Sequence, residues 1–162
     1  MQNASDLVDH GFMIKPPHNP RSCCPLNFGL ELFGDKWTLL LLRDLLVVGK
    51  STFKQFLQSE EGIATNILSE RLSRLECAGL VTRAAHPADK RHAVYTPTGA
   101  GRKLLPVLVE MAYWGATHDA ATAASPEFVK AYESDRDGLL RSMELGFDPS
   151  LSGGEKANGT AD

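Results

Sequence analysis

From Leu26 to Met143 the apolar residues recur three and four positions apart, the spacing of helices that bury one face. Near residues 80–96 that spacing gives way to two short runs suited to strands. Leu26, Leu30 and Phe33 mark a first helix, opened by Cys24-Pro25 with the proline in its first turn and closed by Gly34-Asp35. A second helix is expected from about Lys36 to Val48. Trp37, Leu40, Leu41, Leu45 and Val48 make it apolar nearly all round and therefore central. Arg43 and Asp44 are its exceptions and should lie at an edge or pair, because unpaired buried charge is costly. Gly49-Lys50-Ser51 reads as a turn or a very short strand. Thr52 and Gln55 then fit a capping box, in which each satisfies a backbone amide of the other. The short helix that follows carries Phe53, Phe56 and Leu57.

The next helix spans much of Gly62–Val81 and is built to be used on its outer face. Ala64, Leu68, Leu72, Leu75 and Gly79 form a narrow apolar stripe. Thr65, Asn66, Ser69, Glu70 and Ser73 fall on the other side, mostly short and polar, near the helix N-terminus. Short hydrogen-bonding side chains suit close approach to a polar surface such as the DNA major groove. The same pattern on its own also fits an ordinary amphipathic helix. Its setting favours the first reading, because a short helix, a turn and a longer helix with a polar N-terminal face make a helix-turn-helix. Gly79 ends the helix. Residues 80–85 and 93–96 read as a hairpin whose tip, His86-Pro87-Ala88-Asp89-Lys90-Arg91, is turn-rich and basic, the wing of a winged helix.

Thr98 is expected to cap one long helix from about Gly99 to Ala121, with Leu104, Leu108, Met111 and Gly115 in one stripe and Trp114 beside it. That is more apolar surface than a small core needs, which points to a dimer interface; covering the winged-helix core is the alternative. Ser125-Pro126-Glu127 starts a further helix, kept amphipathic to about Gly146 by Phe128, Tyr132, Leu139 and Met143. The chain thus divides into a flexible arm (1–22), a DNA-binding and dimerisation domain (23–121), an additional helix (125–147) and a disordered tail (148–162). The fold class is mainly α with a small β-hairpin.

Composition changes this picture little, and charge distribution changes it more. The net charge of −3 over 162 residues argues against a nucleic-acid partner only if it is evenly spread. It is not: residues 65–103 hold seven Lys or Arg and three Asp or Glu, while residues 104–162 hold four and ten. The basic excess coincides with the outward helix and the hairpin. No apolar run reaches the roughly 20 residues of a membrane span, and no secretory signal opens the chain. Three cysteines, two of them adjacent, make a poor disulfide framework, so a reduced cytoplasmic protein is expected.

For base reading the candidates are Thr65, Asn66, Ser69 and Glu70. Asn matches adenine bidentately and Glu accepts from cytosine N4. Glu70 has an equal claim as the i+4 partner of Arg74. Arg71 sits at the core edge, with its stem packed and its head free for phosphate, and Arg74 is a further DNA-contact candidate on the same helix. Lys90, Arg91 and His92 form the wing tip, and Lys50, Ser51 and Lys54 are further phosphate candidates. There is no Ser/His/Asp arrangement, glycine-rich phosphate loop or metal cluster, so neither an enzyme nor a cofactor or metal is expected. A winged-helix module that binds protein rather than DNA is the rival reading.

Several motifs resemble those of HxlR-type transcriptional regulators, which are related to MarR-type regulators. They are Cys24-Pro25, the run Gly34-Asp35-Lys36-Trp37 through Leu45, Phe53, Gly62-Ile63, Leu68-Ser69-Glu70-Arg71-Leu72, Gly79-Leu80-Val81, Pro87, Tyr95, Thr98 and Gly101-Arg102. The resemblance covers about residues 23–118. It implies a winged-helix homodimer on a pseudo-palindromic operator, expected to be a repressor released by thiol oxidation or a small effector. It implies an interface from the first helix (Leu26, Leu30) and the helix after the wing (Leu104, Leu108, Met111, Trp114). Cys24 matches the cysteine that redox-responsive members use, and helix N-termini in general favour thiolates. Cys23 beside it departs from the simplest pattern, and adjacent cysteines bridge poorly, so an intersubunit disulfide is the expected route. A small buried cysteine without a sensing role is the alternative for Cys24. Gly99-Ala100 also departs from the family pattern, standing where charged helix formers are usual.

Overall fold

The computed structural model describes residues 21–146. Most of the 1–22 arm and the 148–162 tail fall outside it. Helix α1 (Pro25–Phe33) and helix α2 (Lys36–Arg43) come first, and α2 runs on into a π-helical turn, Asp44–Val48. Helix α3 (Phe53–Leu57) and helix α4 (Thr65–Cys77) follow. Strands β1 (Val81–Ala85) and β2 (Ala93–Pro97) form the hairpin, and helices α5 (Gly99–Arg102), α6 (Leu105–His118) and α7 (Pro126–Gly146) complete the described chain.

The hairpin is antiparallel, with Val81 opposite Pro97 and Ala85 opposite Ala93. Ser51 and Thr52 lie alongside it: the Tyr95 amide donates to the Ser51 carbonyl at 2.7 Å, and Thr52 bridges to Val94. The Gly49–Ser51 segment that the sequence read as a turn or a very short strand thus forms no strand of its own, and one isolated bridge at Thr52 joins it to the hairpin. The mainly α fold with one small hairpin is as expected.

The core gathers Leu41, Leu42 and Leu45 from the central helix with Phe56, Leu68, Leu72, Leu75, Leu80 and Val81, all buried. Phe56 meets Tyr95 edge-on, ring centres 6.1 Å apart, which seats the hairpin against α3. Burying one such leucine stabilises the fold by roughly 1.5–3 kcal/mol, so the three leucines of α4 hold that helix firmly by one face.

Local chemistry fixes the ends of the elements. Thr52 Oγ1 accepts from the Gln55 amide at 3.4 Å, while Gln55 Oε1 accepts from the Thr52 amide at 3.0 Å, completing the expected capping box. Asp35 caps α2, accepting from the Thr38 amide at 3.1 Å. Gly79 follows α4 with φ 72°, the left-handed conformation that glycine adopts without strain.

The structure corrects the sequence reading in three places. The helix expected over Gly99–Ala121 is two helices, broken between Arg102 and Leu105. Pro106 stands in the first turn of the second and has no backbone N–H to donate to the Arg102 carbonyl, so a helix continuous from α5 would lose that bond. Because α6 turns Leu105, Leu108 and Val109 inward, Leu108 is a core residue and not an interface residue, and Leu104 is half-buried against the same core. The second helix ends in a π turn and not as regular α-helix. Helix α7 is bent at Asp135 (φ −155°, ψ 81°), whose carboxylate accepts from the Gly138 amide at 2.8 Å.

Candidate nucleic-acid interface

Helix α4 presents Thr65, Asn66, Ser69 and Ser73 to the outside, all exposed. None of these side chains has a hydrogen-bond partner among the described residues. The opposite face, Leu68, Leu72 and Leu75, is fully buried. A row of free, short donors and acceptors on a helix locked from behind can meet base edges without losing contacts it already has.

Glu70, Arg71 and Arg74 of the same helix are committed otherwise. Arg71 Nε donates to Asp35 Oδ1 at 2.9 Å, and its Nη1 lies 2.5 Å from Glu70 Oε2. Its side chain is only 16 % exposed. The contact with Asp35 comes first in raising the Arg71 guanidinium above its ordinary range. Arg71 therefore ties α4 to the cap of α2 and does not reach outward to phosphate. Glu70 lies between Arg71 and Arg74, 4.0 Å from the latter, which favours its reading as a partner over base reading. Arg74 also reaches the Glu31 carbonyl at 3.3 Å.

Burial pushes the Asp35 carboxyl up, but hydrogen bonds from Thr38 and Arg71 outweigh it and hold it below the usual range. A second charge cluster lies under the helix-turn-helix. Asp44, 1 % exposed, accepts from Arg43 Nη2 at 2.7 Å and from Lys50 Nζ at 3.0 Å, and also from the Ser59 hydroxyl. Arg43 Nη1 continues to Glu61 Oε1 at 2.5 Å. The Arg43 bond holds the Glu61 carboxyl below its usual value. Lys50 is thus consumed by the cluster, and the buried Ser51 pairs its backbone with Gln55 and Tyr95. Both were expected to touch phosphate; satisfying a buried carboxylate and bonding to the hairpin take precedence. Lys54 is exposed and has no side-chain partner among the described residues.

At the wing tip Lys90 is exposed and unpartnered among the described residues. Arg91 is held by Asp89, with Nη2 to Oδ2 at 2.8 Å and Nε to Oδ1 at 3.0 Å, and His92 lies 3.6 Å from the same carboxylate. The Asp89 pairing fixes the tip and leaves both basic groups largely exposed, 87 % for the Arg91 side chain. Arg83 was missed in the sequence. It stands on β1, exposed and without a partner among the described residues. With Lys90, Arg91, His92 and Glu76 it lines a cleft of about 320 Å³ between the wing and the end of α4. A single arginine among small residues in a predicted strand was the signal available.

Cys23, Cys24 and Cys77 are free and exposed, which removes the reading of Cys24 as a buried residue. Cys24 is the N-cap residue of α1, with no side-chain cap bond. Leu26 (71 %) and Leu30 of α1, and Val107, Met111 and Trp114 (65 %) of α6, are exposed. Helix α7 is pinned to α6 by Tyr113 stacked on Tyr132 at 3.8 Å and by Glu110, which accepts from Tyr132 at 2.6 Å and Arg136 at 2.5 Å.

Residues 32–122 match the family model of the HxlR-like helix-turn-helix. The chain belongs to the HxlR-like helix-turn-helix family. This family placement agrees with the free polar face of α4 and the basic wing beside it. Among curated relatives, the HTH-type transcriptional regulator sll1512 of Synechocystis is 34 % identical over 88 residues, 54 % of this chain and 64 % of that protein. YybR of Bacillus subtilis, also an HTH-type transcriptional regulator, is 32 % identical over 92 residues, 57 % of this chain and 73 % of YybR. Among solved structures, the putative transcription factor PA1607 superposes with a TM-score of 0.58 at 33 % identity, covering 65 % of this chain and 72 % of PA1607. The redox regulator HypR in its oxidized form gives 0.54 at 30 % identity, covering 59 % of this chain and 98 % of HypR. This HxlR-like chain is thus similar to transcriptional regulators, and none of its described helices is long and apolar enough to cross a membrane.

Proposed function

We propose that this HxlR-like protein is a sequence-specific DNA-binding repressor that acts as a homodimer on a pseudo-palindromic operator in the cytoplasm. The observation that carries the reading is the row of free Thr65, Asn66 and Ser69 side chains on an otherwise locked helix. Asn66 is assigned to an adenine edge, with Thr65 and Ser69 beside it in the major groove. Lys90, Arg91, His92, Arg83 and Lys54 contact phosphates or the adjoining minor groove. Arg71, Arg74 and Glu70 position the helix. The exposed Leu26, Leu30, Met111 and Trp114 pack against a second copy, which sets the spacing of two reading helices.

The signal is proposed to be thiol oxidation at Cys24 or a small effector. The likeness to oxidized HypR, together with the exposed thiol, supports the redox arm. Two thiols of a dimer reduce one hydrogen peroxide to two waters and are left as an intersubunit disulfide. Cys24→Ser should abolish peroxide-induced release from DNA; release that persists in the variant would transfer sensing to another group.

The deciding experiment selects bound sites from random DNA and measures affinity for them across salt. Log affinity should fall linearly with log salt at about −0.9 per phosphate contact. Changing Lys90 and Arg91 together to Ala should lower affinity for every sequence and flatten that slope. A salt-insensitive interaction would instead favour a winged-helix module that binds protein.

A further inference from the structure

Between α2 with its π turn, α6 and α7 lies a cavity of about 520 Å³. Leu40 and Val47 form one wall, Val109 and Met111 the second, and Phe128 and Met143 the third. That third wall comes from α7, beyond residue 122 where the family match ends. The volume falls in the roughly 300–1,000 Å³ class of small-molecule sites.

We propose that this cavity binds a neutral, apolar small molecule of aromatic type. The argument rests on charge and shape. Among the described residues Arg43 is the only charged side chain in the lining. Its guanidinium is already occupied by Asp44 Oδ1, 3.0 Å from Nε and 2.7 Å from Nη2, and by Glu61, 2.5 Å from Nη1 and 3.1 Å from Nη2. An anion would have to displace a carboxylate, and a cation finds no lining carboxylate at all. What faces the space is aliphatic surface, one phenyl ring and two thioethers. Methionines adapt to irregular ligands and make favourable contacts with aromatic rings. A second copy of the chain is a poorer occupant. Of the exposed residues assigned to dimerisation, Leu26, Leu30 and Trp114 lie off the cavity and only Met111 touches it.

Arg43 also gives the site a consequence, which rests on the DNA-binding reading above. The same residue lines the cavity and grips Glu61, just ahead of α4. A ligand that moves the Arg43 stem changes the hold on the turn that positions the reading helix.

The test uses the full chain and N-phenyl-1-naphthylamine, a neutral aromatic dye that fluoresces in apolar surroundings. A saturable, blue-shifted titration with one dye per chain is expected. Ala124 lines the cavity and is exposed, so Ala124→Trp should fill the site without disturbing the core. It should weaken dye binding by about tenfold or more with an unchanged melting temperature. His118→Ala, at an exposed residue off the cavity, should leave dye binding intact. A flat titration, or loss in His118→Ala with retention in Ala124→Trp, overturns the site. Saturating dye should change affinity for selected DNA by about threefold or more in the wild type and not in Ala124→Trp; unchanged wild-type affinity overturns the link to α4. Should the dye-free protein bind no DNA, the repressor reading fails, while the dye titration still decides the cavity.

Discussion

Asn66 and Arg71 sit five residues apart on one helix and do opposite work. Asn66 is exposed with no hydrogen-bond partner among the described residues, whereas Arg71 is turned back to Asp35. Asn66→Ala should therefore cost about 1–3 kcal/mol of discrimination at one base pair of the selected site, with little change on non-specific DNA. Equal losses on both DNAs, measured by competition binding, would move Asn66 to the backbone contacts. Asp35 belongs to stability and not to recognition. Its carboxyl is held below the ordinary 3.8, so the folded chain keeps it ionised where the unfolded chain begins to protonate. The stabilisation is full above that ordinary value and drains away as pH falls through the depressed one. Asp35→Asn should lower the melting temperature at pH 7, and the difference from wild type should shrink below about pH 4. Thermal melts across that range check it.

At the scale of elements, local signals were legible and distant ones were not. The box of Thr52 and Gln55 spans three residues, and the stripe of Leu68, Leu72 and Leu75 repeats every helical turn, so both could be read directly. Lys50 and Arg71 looked free because their partners lie elsewhere. Asp44 is six residues from Lys50, and Asp35 is 36 residues from Arg71. Nothing in periodicity reveals such a pairing. The break before α6 was announced by Pro106 but masked by the long apolar run around it. That break lets Gly101 pack against the Leu80 carbonyl, where a methyl group would collide with backbone. Gly101→Ala should destabilise the fold by about 1–3 kcal/mol through overpacking, read from a denaturant midpoint. An unchanged midpoint would mean that the hairpin and α5 separate easily.

For the whole molecule, the arrangement divides labour between elements. Helix α4 carries the free polar side chains, α1 and α6 carry exposed apolar ones, and α7 packs on α6. The surplus of apolar residues in α1 and α6 was legible in the sequence, but which of them stay exposed was not. Leu104 and Leu108 turned inward while Met111 and Trp114 stayed out, which only packing decides. Leu26→Glu with Trp114→Glu should convert a dimer to monomer by sedimentation without loss of helix content. Affinity for a two-half-site operator should fall far more than affinity for one half-site. A protein that stays dimeric would place the interface elsewhere.

The separation within α4 reaches beyond this protein's own regulation. Its tethers run through Arg71, Arg74 and the buried leucines, while Thr65, Asn66, Ser69 and Ser73 hold no side-chain partner among the described residues. Those four positions form an exchangeable cassette. A library randomised there alone would keep its scaffold intact, so that new operator preferences could be sought without first rescuing the fold.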